Sequence, residues 1–120
     1  MNARLLFGSA AAFNFAVGLS MVFAYPFTAR LLDVAGPPTV WFHLAAATVL
    51  VFGCAYAQIA RDPVCNRPYV VLGILGKSAF VVAIYAHVLA GDASPRLAAL
   101  VTVDLVFALL FAAFLRATPR

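Results

Sequence analysis

Four long apolar stretches, separated by three short links rich in proline, glycine and charge, limit what this chain can fold into. They run over about residues 5–27, 39–60, 69–90 and 97–115. A helix needs roughly 20 mostly apolar residues to cross a hydrocarbon core about 30 Å thick, and each stretch is that long. Barrel strands would alternate in character and turn every ten residues or so; these runs are continuous, so helices are predicted. Pro37-Pro38, Pro68 and Pro95 stand at or just before helix starts, and Gly91 follows a helix end, which is the usual punctuation. With links this short, successive helices must lie antiparallel and adjacent. The expectation is an all-α membrane protein, a single four-transmembrane-helix bundle running up-down-up-down. In the first link, TARLLD is expected to lie at the membrane interface as a short amphipathic turn.

Composition agrees. Of 120 residues, 66% are hydrophobic and 10% charged, with a mean hydropathy of +1.04. A water-soluble domain this short carries more charge. The N-terminal MNARLLFGSAAAF resembles a secretion signal, but its apolar run continues through Asn14 to Pro26, too long for one, and is read as a retained span.

The net charge of +4 comes from seven Arg and one Lys against four Asp. The arginines stand at segment ends and form no stripe, so nucleic acid is not the expected partner. Arg4, Arg61, Arg67, Arg116 and Arg120 fall on one side; Arg30 and Arg96 fall on the other, near Asp33 and Asp92. By the positive-inside rule both termini are cytoplasmic, and in a bacterium the membrane is the inner one. Tyr25, Trp41, Tyr69 and Tyr85 lie near segment ends, where interfacial aromatics belong.

Helices in lipid associate through small residues and polar contacts. Gly8, Ala12, Ala16, Ser20 and Ala24 recur every fourth residue and are expected to form a ridge against a neighbouring helix or a second copy. Gly73 and Gly76 offer close approach on the third span.

The intramembrane polar residues are Asn14, His43, Gln58, Lys77, His87 and Asp104. At about 1.5 Å per residue, Asn14 and Lys77 lie roughly 13 Å from one side, and Asp104 roughly 10 Å from the other. A mid-helix lysine costs roughly 2.5–3.5 kcal/mol on insertion scales and normally turns inward toward a partner. Asp104 is the carboxylate within reach, so a buried cluster of Lys77, Asp104 and Asn14 is expected. The plainer alternative has Lys77 and Asp104 snorkelling to opposite surfaces. The cluster would fix helix register, relay protons, or anchor the head of a quinone or lipid. His43 and His87 lie about 5 Å in from the outer side, where a pair of histidines could ligate a b-type haem; headgroup-level polar residues are the plainer reading. Cys54 and Cys65 make neither a disulfide framework nor a metal site, and no catalytic motif or residue is identified.

The stretch AQIARDPVCNRPYVVLGILGK, followed by a fourth span containing Asp104, resembles the DoxX-like group of small bacterial membrane proteins. Arg61, Asp62, Pro63, Asn66, Arg67, Gly73, Gly76 and Lys77 carry the resemblance. It implies a four-helix inner-membrane protein, in some cases tied to quinone-linked redox or stress functions, and supplies no catalytic residue. Three function classes follow: an accessory or self-associating component holding a lipid or quinone, a small transporter or proton conductor using Lys77 and Asp104, and a redox subunit with haem or quinone.

Overall fold

The computed structural model describes residues 2–119. It contains α1 (Ala3–Phe23), α2 (Tyr25–Leu32), α3 (Val40–Arg61), α4 (Arg67–Ala90) and α5 (Pro95–Ala117), with no strand among the described residues. The four long helices are spans by length and composition, and the chain is an integral membrane bundle. Only 17% to 39% of each span is buried inside the bundle, so most of the apolar surface faces outward. Leu5, Leu19, Val51, Leu75, Val82 and Leu109 are among the exposed residues. Water would not tolerate such a surface; lipid does.

The helix ends follow from local chemistry. Asn2, Thr39 and Ser94 accept from the backbone N–H groups of Leu5, Phe42 and Leu97 and so cap α1, α3 and α5. Pro68 and Pro95 stand inside the first turn, which places two starts slightly earlier than the sequence suggests. Gly91 closes α4 at φ 87°, a left-handed position that glycine adopts freely. The second link is tied by its own polar side chains. Asp62 accepts from the Cys65 N–H at 3.0 Å, and the Asn66 amide donates to the carbonyls of Gln58 (3.2 Å) and Asp62 (2.9 Å). Arg67 reaches across to the end of α5, donating to the Thr118 carbonyl, the Thr118 hydroxyl (2.9 Å) and the Leu115 carbonyl (2.8 Å). Those carbonyls have no partner within their own helix.

The first span differs from expectation. It ends at Phe23, and Tyr25–Leu32 form a separate helix where the sequence suggested a span tail and a turn. Pro26 lacks the N–H needed to continue α1, and in the first turn of α2 that N–H is not required, so the chain breaks at Ala24 and starts a new helix. The Thr28 hydroxyl turns back onto the carbonyls of Ser20 (2.8 Å) and Ala24 (3.0 Å) at the break. α2 buries Thr28 and Leu32 and exposes Phe27 and Leu31. It is fastened to the third link and to α5: Ser94 donates to the Leu32 carbonyl at 2.5 Å and Arg96 to the Arg30 carbonyl at 3.0 Å.

Leu6 and Phe7 at the start of α1 pack with Ile59 at the end of α3, Val70 at the start of α4, and Phe111 and Phe114 at the end of α5. Consecutive spans therefore alternate in direction. α1 and α3 approach closely: a Cβ at Gly18 would lie 2.7 Å from Leu50, and one at Gly53 would lie 3.2 Å from Phe15. The ridge expected on α1 is not what makes this contact. Ala12 and Ala16 are exposed, and a Cβ at Gly8 would meet open space. A four-residue repeat turns by about 40° at each step, so five such positions wrap around the helix rather than share a face.

Candidate functional site

Lys77 lies on the inner face of α4, two turns past the crowded start of that helix, and its side chain is 4% exposed. Its ammonium donates to Asp104 Oδ1 on α5 at 2.5 Å and to Asn14 Oδ1 on α1 at 3.2 Å. The Asn14 amide donates onward to the Val49 carbonyl of α3 at 3.0 Å. One polar chain, Asp104–Lys77–Asn14–Val49, thus touches all four spans. Aromatic faces surround the ammonium: the ring centres of Tyr56, Phe107 and Phe13 lie 5.1, 5.2 and 5.6 Å from Nζ. Cation–π attraction is strongest in such a desolvated setting, and the rings complete a shell that the two oxygens leave partly open.

Glycines make room for this shell. A Cβ at Gly73 would stand 2.8 Å from the Tyr56 ring, and one at Gly76 would stand 2.7 Å from the Phe52 ring. Both rings therefore press directly on the α4 backbone where a side chain would otherwise stand. The Tyr56 hydroxyl reaches the Gly73 carbonyl at 3.5 Å.

The cluster stands at a boundary. Toward the arginine-rich end the interior is filled by Phe7, Tyr56, Ile59, Val70 and Phe111, each at most 1% exposed. Toward the α2 end lies an interhelical cavity of about 300 Å³, walled by Phe13, Val17, Val49, Phe80, Ile84 and Leu100 among others. Asp104 is the one polar side chain in its lining. Lys77 borders a separate space of about 30 Å³ within the cluster itself.

Lys77, Asp104 and Asn14 are thus brought together, and neither Lys77 nor Asp104 extends to a membrane surface. The histidines are not drawn in. His87 is exposed near the end of α4 with Nδ1 2.9 Å from an oxygen of Asp92. His43 is exposed near the start of α3, its ring 6.3 Å from that of Phe42. Gln58 is exposed, and its backbone carbonyl accepts from Asn66. Both cysteines are free and exposed, and no group of three metal-ligating side chains occurs among the described residues. Sequence reasoning missed Tyr56, Phe13 and Phe107, the rings that enclose the ammonium. Gly73 was the available signal for Tyr56, because a glycine one turn before a buried lysine leaves room for a large side chain opposite; nothing in the sequence marked Phe13 or Phe107.

Compared with known proteins, the chain matches no protein-family model, no curated protein and no solved structure.

Proposed function

We propose that this integral membrane protein is a non-enzymatic, DoxX-like component of the bacterial inner membrane that holds a lipid or quinone between its helices. The observation that carries this reading is the cavity of about 300 Å³ with apolar walls and the single carboxylate of Asp104. Ligand sites are concave, mostly apolar, and carry few polar groups. The volume is about twice the ~150 Å³ that admits a benzene-sized guest. The Lys77–Asp104–Asn14 cluster then has two tasks: it fixes the register of the spans, and it presents a polar point to the ligand's head. Arg4, Arg61, Arg67 and Arg116 at one end of the bundle support, by the positive-inside rule, a reading in which both termini are cytoplasmic and the cavity lies in the outer half.

A proton or ion path is the competing use of the same residues. The tightly filled interior between the cluster and the arginine-rich end favours holding over conducting. The reading is tested by purifying the full chain in lipid nanodiscs, exchanging the bulk lipid, and identifying what stays bound while reading the native mass. One retained lipid or quinone per chain, lost when Ala45→Phe fills the cavity, is the expected result. Proton flux through reconstituted vesicles, abolished by Asp104→Leu, would overturn it. Cys65 reports orientation: a membrane-impermeant maleimide should label it in inside-out vesicles and spare it in right-side-out ones.

A further inference from the structure

We infer that the cavity selects an uncharged lipid alcohol or phenol, whose hydroxyl donates a hydrogen bond to Asp104 while its tail leaves between α1, α2 and α5. The inference rests on the ligand-holding reading above and specifies the chemistry of the head.

Of the ion pair, Asp104 is the partner that meets the cavity: its side chain is 18% exposed against 4% for Lys77, and it alone lines that space. Oδ1 takes the Lys77 ammonium, and Oδ2 has no donor among the described residues. The ammonium is already held by two oxygens and three rings. What a guest meets is therefore an acceptor. A carboxylate only accepts hydrogen bonds, so of a quinone couple the reduced hydroquinone, with its hydroxyls, is the form that gains from it. An anionic head would be repelled. A cationic head would compete with Lys77 and leave an unbalanced positive charge in an apolar chamber, which is costly. A neutral hydroxyl fits: it donates one charge-assisted bond and adds no charge.

The tail is assigned to the adjoining groove. A groove of about 210 Å³ beside α2 shares Phe13, Val17, Leu32 and Leu100 with the cavity wall and adds the exposed Phe27 and Leu31. The cavity accepts a head with a ring or a short stretch of chain, and the groove carries the remainder into lipid. A hydroquinone with an isoprenoid tail and a diacylglycerol share this chemistry.

The test uses the full chain in phosphatidylcholine nanodiscs and a diazirine-bearing hexadecanol, beside its methyl ether, its carboxylic acid and its amine. Cross-links are mapped by mass spectrometry. The alcohol should label cavity-lining residues about tenfold more than the ether, roughly one hydrogen bond to a charged group, and more than the acid or the amine. In Lys77→Met/Asp104→Leu, which removes the pair together, the alcohol-to-ether ratio should fall to about one. Ala45→Phe should reduce labelling by every probe. Competition by a short-chain hydroquinone would identify the isoprenoid source, and competition by dioleoylglycerol the glycerolipid source. Equal labelling by alcohol and ether, or preference for the amine, would overturn the inference and leave the ligand-holding reading intact. Absence of cavity labelling by all four probes would overturn both.

Discussion

Toward the arginine-rich end, Phe7 meets Phe111 at 4.7 Å and Phe114 at 5.3 Å, ring centre to ring centre, and Tyr56 meets Phe111 at 5.3 Å. Toward the α2 end, Phe13, Phe42 and Phe80 stand around an open space instead. The residue types are the same; the filling is not. In lipid, helices gain little by hiding apolar surface from one another, so contact must come from shape and polar bonds. The filled half has shape. The open half is held by polar bonds at its two limits: the Lys77 cluster below, and the Ser94, Arg96 and Tyr25 bonds around α2 above. A bundle that closes one half tightly can leave the other half hollow without losing register.

The contrast predicts graded responses. The largest belongs to the cluster. Asp104→Leu leaves the Lys77 ammonium buried without its carboxylate and should cost about 3–5 kcal/mol, read as the unfolding midpoint in mixed detergent. Next is the filled half. Phe111→Ala removes a fully buried ring and should cost about 3 kcal/mol, whereas Ile84→Ala, which already borders the cavity, should cost less than half as much. Equal losses at the two sites would mean that the halves are packed alike. Gly73→Ala should cost about 1–3 kcal/mol, because its Cβ would press on the buried Tyr56 ring. Gly8→Ala, which meets open space, should be neutral or slightly stabilising in the same assay. At the rim the loss is small: Arg67→Ala releases the α5 carbonyls and should cost about 1 kcal/mol, with faster hydrogen exchange confined to the last turn of α5.

Much of this was legible in the residues. The span positions follow from hydropathy and from the prolines and glycine at their ends. The meeting of Lys77 with Asp104 and Asn14 follows from the cost of a lone charge in lipid. The break at Ala24 was hidden because apolar character runs on past Pro26, and hydropathy does not register a missing N–H. The cavity was hidden for a different reason. Leu72 and Leu75 face lipid while Val70 and Val81 are buried, and nothing in their chemistry distinguishes the two faces. A span that is apolar all round gives no sign of which side chains line a hollow. In the second link, Arg67, which the sequence marks as an orientation signal, also ties the Leu115 carbonyl at the end of α5; Asn66 ties the Gln58 carbonyl at the end of α3, and Asp62 holds the Cys65 N–H within the link itself.

The most direct test is the double-mutant cycle on Lys77→Met and Asp104→Leu, measured as unfolding free energy in detergent. If the two side chains form a buried pair that joins α4 to α5, the double variant should recover most of the stability lost by Asp104→Leu alone, since removing both charges leaves none unpaired. Strictly additive losses would contradict it, and would place the two groups apart, each facing its own solvent.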